Sequence, residues 1–289
     1  NCKVPFFVRN VKNIKVKGIS FNSKNVKENF IFAAVKGTKV NGENFIDHVI
    51  NLKNTIIITA SNINNIENKS TMMIQTSDVR ILVGEIASVL YPNNINEKIA
   101  ITGTNGKTSV SHYISEIKSK QNVPNAIFGT LGILFNKKIF AETNLTTSDV
   151  ITNNKILNKL NKKKCECAIF EASSIGLHQK RLHNIFFDKI AFTNLTDDHL
   201  DYHVNCKNYK MSKSLLFKEN IKRNTIAVIN SDDKNSNFFK KICKKNKLKV
   251  LDYGKKAEFL KIIRIIKKKK NIQTEFSLKN KKFNINFPC

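Results

Sequence analysis

The stretch Thr102-Gly103-Thr104-Asn105-Gly106-Lys107-Thr108 decides the fold, because it joins an apolar run to an amphipathic one. The run before it, 98–102, has the composition of a buried strand, and 109–120 has the spacing of a helix. A glycine-rich turn between a strand and a helix lets backbone N–H groups and the helix N-terminus approach phosphate. Lys107 would neutralise phosphate charge, and Thr108 would offer a hydroxyl to Mg²⁺. The stretch therefore predicts a nucleotide-binding loop.

The match to the general phosphate-loop pattern is partial. The pattern G-x-x-x-x-G-K-[ST] needs glycine where this chain has Ile101. A glycine-rich turn that contains Gly-Lys-Thr by chance is therefore the alternative interpretation. The order of strand, loop and helix favours the nucleotide-binding loop.

Further short apolar runs follow at intervals that leave room for helices. They lie at 126–128, 168–170, 189–192 and 226–229. Strands of this kind, separated by amphipathic stretches, predict an α/β fold with a doubly wound, mostly parallel sheet. Ligands of such sheets bind at the carboxyl ends of the strands. Three polar clusters fall at those ends, at 103–108, 171–174 and 193–199.

Two residues at these strand ends are candidates for holding a divalent cation. Glu171 directly follows an apolar strand, where a second protein ligand for Mg²⁺ is expected beside a phosphate loop. His199 lies nearer to the end of the next strand than His203 and is the better imidazole candidate. Taken alone, Glu171 is also explained as a helix cap or a surface charge. By its spacing alone, Lys213 is an ordinary solvated helix lysine.

The pattern of the chain has one clear break. Residues 1–92 hold short β-like runs separated by Asn, Gly and Lys turns, which predict a small α/β domain. The segment Tyr91-Pro92-Asn93-Asn94 ends this pattern, so a second domain is predicted at 93–289. The chain begins with Asn1 and stops at Cys289, directly after a strand-like alternation, and we expect it to be a fragment.

The charge is strongly positive but diffuse. The chain has 50 Lys+Arg against 22 Asp+Glu, a formal net charge of +28 at pH 7. A basic excess of this size raises the question of nucleic acid or an anionic membrane as a partner. Lysine and asparagine are spread through every segment with little aromatic interleaving, so we interpret the charge as a solvated surface and predict no nucleic-acid partner.

Cysteine usage and hydropathy favour the cytoplasm. Six cysteines occur without a C-x-x-C pair or a Cys/His set of zinc-binding spacing, which predicts reduced thiols. No apolar run approaches the roughly 20 residues that span a bilayer, and the N-terminus lacks the apolar core of a signal peptide. We therefore predict a cytoplasmic monomer without membrane insertion.

Several separated motifs together resemble the Mur ligase family. They are the 102–108 loop, N-L-T-T-S-D at 144–149, E-A-S-S-I-G-L-H-Q-K-R at 171–181 and F-T-N-L-T-D-D-H-L-D-Y-H at 192–203. The forms E-x-S-S-x-G-L-x-Q-x-R and H-L-D-Y-H resemble the branch that adds the third peptide residue to UDP-N-acetylmuramoyl-L-alanyl-D-glutamate. The resemblance covers nearly the whole chain and implies a UDP-binding N-terminal domain followed by an ATP-binding domain.

The resemblance implies a set of nucleotide and metal residues. ATP would be bound by Gly103, Thr104, Asn105, Gly106, Lys107, Thr108, Ser109, Asn230 and Asp233. Mg²⁺ would be held by Thr108, Glu171, His199 and Lys213. Lys213 matches a family lysine that becomes carbamylated, which turns a cation into a carboxylate-like group. Lys107, His199 and Lys213 would act in catalysis.

The resemblance also implies a substrate site. The uridine diphosphate group would contact Phe21, Ser23, Thr38, Lys39 and Val40. The muropeptide would contact Asn144, Thr146, Thr147, Ser173, Gln179 and Arg181. The planar donor fork of Arg181 suits an anionic substrate. Two residues depart from the family pattern, since Asn22 replaces an acid and Lys24 an arginine.

The implied activity is ATP-dependent amide-bond formation in peptidoglycan biosynthesis. A substrate carboxylate would attack the γ-phosphate of ATP, and the amino group of a diamino acid would displace phosphate from the resulting acyl phosphate. The family's C-terminal amino-acid-binding domain is absent from this sequence, so we expect negligible ligation by the chain alone. The alternatives are a folylpolyglutamate synthetase, which leaves the uridine-type motifs unexplained, and a basic ATP-using nucleic-acid-binding protein.

Overall fold

The computed structural model describes residues 2–37, 40–65, 71–196, 200–267, 271–278 and 281–288. The chain forms two compact units. The first unit comprises 1–93, 149–159 and 179–184, and the second comprises 94–148, 160–178 and 185–289. Two short segments of the later chain thus cluster with the N-terminal residues, and the division into domains at residue 92 stays a prediction.

A five-stranded sheet forms the centre of the first unit. Its strands are β1 (Phe6–Arg9), β2 (Gly18–Ser20), β3 (Phe30–Ala33), β4 (Ile56–Thr59) and β5 (Met72–Thr76), in the order β1-β5-β4-β3-β2. Strands β2 to β5 are parallel, and β1 pairs with β5 in the antiparallel sense. Helix α1 (Val79–Leu90) and three short 3-10 helices (Ser23–Asn25, Gly42–Phe45 and Ile63–Asn65) also belong to this unit, as do residues 149–159, which form most of a later helix.

The sheet of the first unit is buried on both faces. Ile31 and Ile58 belong to the core on one face, whereas Phe32 and Ile57 belong to the core on the other. Successive residues point to opposite faces, and both faces are buried. These strands are therefore continuous apolar runs in the sequence. Helix α1 begins after Asp78, whose carboxylate accepts hydrogen bonds from the second and third helical N–H groups.

The second unit contains an eleven-stranded sheet, counted over the described residues. In chain order its strands are β6 (Glu97–Thr102), β7 (Asn125–Gly129), β8 (Gly132–Phe135), β9 (Lys138–Ala141), β10 (Cys167–Glu171), β11 (Phe187–Phe192), β12 (Ile221–Asn230), β13 (Lys249–Gly254), β14 (Leu260–Lys267), β15 (Asn271–Leu278) and β16 (Lys281–Pro288). Their order across the sheet is β16-β15-β14-β13-β12-β11-β6-β10-β7-β8-β9. The stretch from β14 to β7 is parallel, and an antiparallel pair of strands extends each edge. The predicted α/β class with a mostly parallel sheet is confirmed.

Helices connect the parallel strands. They are α2 (Lys107–Lys120), α3 (Val150–Lys162), α4 (Ser174–His178), α5 (Leu200–His203), α6 (Cys206–Ser214), α7 (Leu216–Glu219) and α8 (Ser236–Lys245). Val110 of α2 packs on Ile99 and Ile169 on one sheet face, and Phe128 stacks on Phe170 on the other at 4.2 Å between ring centroids. Because the parallel strands adjoin in the order β11-β6-β10-β7, their polar carboxyl ends meet at one edge.

Two further observations concern the membrane and the cysteines. Within the described ranges, no helix has both the length and the apolar character that crossing a bilayer requires. Cys2, Cys165, Cys167, Cys206 and Cys243 are free thiols. Burial raises the pKa of Cys167 and of Cys243 to about 12, so both thiols stay protonated at neutral pH.

Candidate active site

The predicted phosphate loop joins β6 to α2. The helix begins at Lys107, two residues before the predicted start, so Lys107 and Thr108 lie in its first turn. Gly106 caps the helix with φ +87°, and Gly103 has φ +152°, conformations that favour glycine. A side chain at Gly103 would place its Cβ 1.9 Å from Thr193 Oγ1. The loop therefore needs glycine both for its backbone conformation and for its contact with the neighbouring strand end.

Residues that follow β11 hold the loop in place. The N–H of Thr104 donates to the carbonyl of Asn194 at 2.9 Å, and the N–H of Asn105 donates to the Asn194 side chain at 2.9 Å. Thr193 Oγ1 donates to the carbonyl of Asn105 at 2.7 Å. The predicted clusters at 103–108 and 193–199 are thus brought together through their described members.

Two lysine side chains meet at one carbonyl oxygen of the loop. Lys107 Nζ donates to the carbonyl of Gly103 at 3.0 Å and to that of Thr104 at 2.8 Å. Lys213 Nζ donates to the same Gly103 carbonyl at 2.9 Å and lies 4.3 Å from the centre of the Tyr209 ring. Lys213 is only 1% exposed, so it is not the solvated helix lysine that its spacing alone indicated. The loop therefore concentrates positive charge where phosphate would bind.

The carboxylate of Glu171 lies beside the same helix terminus. It is 1% exposed and accepts a hydrogen bond from Thr108 Oγ1 at 2.8 Å. Thr130, which follows β7, donates to it from the backbone N–H at 3.3 Å and from Oγ1 at 3.0 Å. All of these donors are uncharged, so the buried carboxylate is a suitable neighbour for a divalent cation. The Thr108 hydroxyl and this carboxylate supply the oxygen ligands that Mg²⁺ prefers.

The predicted metal site is described only in part. Its third and fourth members were His199, which lies outside the described residues, and Lys213. Among the residues that the structure does describe, no group of three or more His, Cys, Asp and Glu side chains is placed to hold a metal. Thr108 and Glu171 are the two members of the predicted metal set that the structure shows in contact.

Several residues of the predicted muropeptide set gather around Glu171. Thr147 Oγ1 donates to the Glu171 carbonyl at 2.7 Å and lies 2.9 Å from Ser173 Oγ. Thr146 Oγ1 lies 3.2 Å from Thr130 Oγ1, the hydroxyl that donates to the Glu171 carboxylate. Asn144 is exposed. The substrate residues of the second unit thus adjoin the predicted phosphate and metal residues.

Asn230 and Asp233, predicted to contact the nucleotide, support the loop after β11. The Asn230 side chain donates to the carbonyl of Thr193 at 2.7 Å. The Asp233 carboxylate accepts from the N–H of Leu195 at 2.8 Å and from the N–H of Asn235 at 2.7 Å. Both side chains therefore position residues 193–195, which in turn contact the phosphate loop.

The family can be assigned on the second unit. Residues 101–289 match the model of the Mur ligase middle domain. The chain belongs to the Mur ligase family. The resemblance inferred from the separated motifs is thereby confirmed, and the match begins at the strand that leads into the phosphate loop.

Similar proteins extend the assignment to most of the chain. A UDP-N-acetylmuramoyl-L-alanyl-D-glutamate--2,6-diaminopimelate ligase of Rickettsia montanensis is 36% identical over 281 residues, which cover 95% of this chain and 57% of the relative. A solved structure of a ligase with the same name has a TM-score of 0.78 at 26% identity and covers 93% of this chain and 55% of that one. MurF ligase from Thermotoga maritima in complex with ADP has a TM-score of 0.57 at 18% identity, covers 96% of this chain and 59% of that one, and so shares the fold. The Mur ligase chain thus spans between half and two thirds of the length of its relatives.

The remaining predicted residues of this Mur ligase chain lie on α2, in the first unit or outside the described residues. Ser109 is exposed on α2. In the first unit, Arg181 donates from Nε and Nη2 to the side-chain oxygen of Gln179 at 3.1 and 2.8 Å. Phe21 and Ser23 are half-buried, and Val40 is 53% exposed. Thr38 and Lys39 lie outside the described residues.

Three site residues of the Mur ligase chain were not predicted from the sequence. Thr130 contacts Glu171, Tyr209 OH lies 3.0 Å from Thr104 Oγ1, and Asn194 holds two residues of the loop. A signal existed for Thr130, because Gly129-Thr130 follows an apolar strand in the way that Glu171 does. Nothing in the local sequence distinguishes Tyr209 from a core tyrosine.

Gly129 of the Mur ligase chain leaves room for the Glu171 carboxylate, and this contact gives a test. A Cβ at Gly129 would lie 2.1 Å from Glu171 Oε1, and the buried carboxylate is already held by Thr108 and Thr130. We expect Gly129→Ala to lower the free energy of unfolding by about 2 kcal/mol, as overpacking does. In an E171A background the same substitution should cost less than about 0.5 kcal/mol, because the clashing atoms are gone. Urea denaturation of the four proteins measures both values, and equal costs in the two backgrounds would show that the cost does not come from a clash with Glu171.

Proposed function

We propose that the full-length protein containing this chain is an ATP-dependent ligase of peptidoglycan biosynthesis. Its reaction would add a diamino acid to UDP-N-acetylmuramoyl-L-alanyl-D-glutamate. The observation that carries this proposal is the convergence of Lys107 and Lys213 on the Gly103 carbonyl beside the Thr108–Glu171 pair. A phosphate loop with cations on one side and a cation-binding carboxylate on the other suits phosphoryl transfer to an acid. The names of the relatives support the choice of substrate.

Charge stabilisation is the main task of the protein in the proposed first step. The substrate carboxylate attacks the γ-phosphate of ATP, and ADP leaves as the acyl phosphate forms. Negative charge spreads over the transferring group, and Lys107 together with the backbone N–H groups at the start of α2 would stabilise it. The amino group of the diamino acid then attacks the acyl carbon, phosphate departs and the amine loses a proton.

Mg²⁺ is the cation proposed for the Thr108–Glu171 pair. When bound, it would offset the repulsion between the triphosphate and the attacking carboxylate. Thr130 donates to the Glu171 carboxylate, and the Glu171 side chain is buried. His199 and a carbamylated Lys213 complete the proposed ligand set.

The muropeptide is proposed to bind next to Glu171. Thr146, Thr147 and Ser173 are hydroxyl residues whose contacts with Thr130 and with the Glu171 carbonyl fix their positions. Asn144 of the second unit is proposed to contact the muropeptide as well, and so are Gln179 and Arg181 of the first unit. In the first unit, Phe21, Ser23, Thr38, Lys39 and Val40 are proposed to contact the uridine diphosphate group. Nucleotide substrates of this kind fit the proposed cytoplasmic location, and the protein is proposed to be a monomer.

A substrate panel on the full-length protein tests the proposed function. We expect ADP and a UDP-linked tripeptide from ATP, Mg²⁺ and UDP-N-acetylmuramoyl-L-alanyl-D-glutamate with either meso-2,6-diaminopimelate or L-lysine. Omission of the muropeptide should abolish ADP release. Turnover with a folate and glutamate would instead support a folylpolyglutamate synthetase. ATP hydrolysis stimulated by duplex DNA, with salt-sensitive binding, would support the nucleic-acid alternative.

A further inference from the structure

The first unit contains a cavity of about 420 Å³, and the predicted site residues are not among the described residues that line it. Lys36, Glu43, Ser61, Asp78 and Arg80 are among the residues that line it. They follow β3, β4 and β5 or begin α1, so the cavity lies at the carboxyl end of parallel strands beside a helix N-terminus. Ligands of parallel sheets bind at this end.

The two ends of a short loop beside this cavity are described, and they pair with each other. The loop, residues 36–42, contains the positions proposed to contact uridine diphosphate. Lys36 and Asn41 form an antiparallel bridge, and the N–H of Gly37 donates to the carbonyl of Val40 at 2.9 Å. The N–H of Gly42 donates to the carbonyl of Val35 at 2.9 Å, and a Cβ at Gly42 would lie 2.7 Å from that oxygen. These bonds join the two described ends of the loop to each other.

Glu43 supplies the connection to the sheet. Its Oε1 accepts from Thr59 Oγ1 at 2.5 Å and from the N–H of Ser61 at 2.9 Å, both at the carboxyl end of β4. Its Oε2 accepts from the Asn41 side chain at 3.3 Å, and its own N–H donates to Asn41 Oδ1 at 3.2 Å. One carboxylate therefore joins the end of the loop to the end of β4.

At the other end of the loop, the Arg80 guanidinium donates to the carbonyl of Lys36 at 3.3 Å. Among the described residues, the loop is thus attached to α1 through Arg80 and to β4 through Glu43. The Glu43 attachment is the stronger of the two, since it has hydrogen bonds of 2.5 and 2.9 Å, whereas the bond from Arg80 is 3.3 Å long.

The ionised state of Glu43 fits this role. Burial opposes ionisation, but the hydrogen bonds from Thr59, Ser61 and Asn41 outweigh it, and the pKa of Glu43 lies below its ordinary value. A carboxylate is an unexpected group beside a loop proposed to contact a diphosphate, because it would repel that ligand. Its hydrogen bonds to the protein explain why it is there.

We propose that Glu43 is a positioning residue for the nucleotide-sugar substrate, acting by fastening loop 36–42 to the end of β4. This inference rests on the proposed function, because it assumes that the loop contacts the uridine diphosphate group. Glu43 acts through the loop and not through contact with the substrate. Removal of the Glu43 carboxylate should therefore weaken binding of the substrate. If Glu43 only repelled the diphosphate, its removal would make binding tighter.

Three variants of the full-length protein separate these effects. Glu43→Ala removes the attachment, Glu43→Gln keeps an oxygen that can accept from Thr59 and Ser61, and Glu28→Ala removes a negative charge from an exposed position of the same unit. We expect E43A to raise the KM for UDP-N-acetylmuramoyl-L-alanyl-D-glutamate about tenfold or more, the effect of losing one to two charged hydrogen bonds. The kcat and the KM for ATP should stay within about twofold of the wild-type values, and E43Q and E28A should bind within about threefold of wild type.

Direct calorimetric binding of the same muropeptide provides a second readout. A tighter Kd for both E43A and E43Q would show that Glu43 acts as a repelling charge and would overturn the proposal. Unchanged binding by E43A would also overturn it, as would an equal rise in both KM values with a lowered melting temperature. If the wild-type protein neither binds nor turns over the muropeptide, the proposed function itself fails, and this inference fails with it.

Discussion

Replacing Lys107 by methionine is expected to lower the ATP-dependent ligation rate of the full-length protein on the order of 10³-fold, as loss of a group that stabilises transferring phosphate does. Methionine keeps the aliphatic stem but removes the ammonium that donates to the carbonyls of Gly103 and Thr104. The Gly103 carbonyl keeps a donor, because Lys213 Nζ also reaches it at 2.9 Å. The loss should therefore appear in turnover and much less in the free energy of unfolding.

The exposed Lys120 at the other end of α2 provides the matched control. K120M removes the same charge from the same helix, and we expect its rate to stay within about twofold of wild type because surface charges far from the site are screened. Phosphate release is measured with the muropeptide and a diamino acid at saturation. A K107M enzyme that retains more than a tenth of the wild-type rate would show that this loop does not stabilise the transferred phosphate.

The fold was largely predictable because its signals are local. The apolar runs at 98–102, 126–128 and 168–170 each became a parallel strand, since strands buried on both faces must be apolar throughout. The start of α2 was misplaced by two residues for a local reason as well. The helix is capped by Gly106 in a left-handed conformation, whereas sequence signals for a helix start rely on a capping side chain.

The residues of the candidate site could be predicted only where a local stretch of sequence indicates their role. The phosphate loop and Glu171 follow from residue type and position after a strand. The support given by Asn230 to Thr193 depends on the pairing of β11 with β12, which a single sequence does not specify. Glu43 could not be predicted either, because its partners Thr59 and Ser61 lie more than fifteen residues away and carry no motif.

The burial of Lys213 makes its replacement the second variant with a large expected effect. The side chain is 1% exposed and donates to the phosphate loop, so its modification would alter the charge at the loop itself. Carbamylation joins the neutral amine to CO₂ with loss of one proton and leaves one N–H, which is enough to keep a hydrogen bond to the Gly103 carbonyl. The product carries a negative charge and would serve as a proposed ligand to Mg²⁺.

We expect Lys213→Met to lower the ligation rate about 100-fold or more, because a charge that stabilises the reacting groups is lost. Its free energy of unfolding should stay the same or rise, since an apolar side chain of similar shape replaces a buried charge. With ¹³C-bicarbonate, the wild-type protein should show a carbamate carbon resonance that K213M lacks and that the exposed-site control K218M keeps. Because only the neutral amine reacts, this resonance should grow as the pH rises. A K213M enzyme with wild-type turnover would remove Lys213 from the mechanism, whereas lost turnover without a carbamate signal in the wild type would assign the effect to the ammonium group.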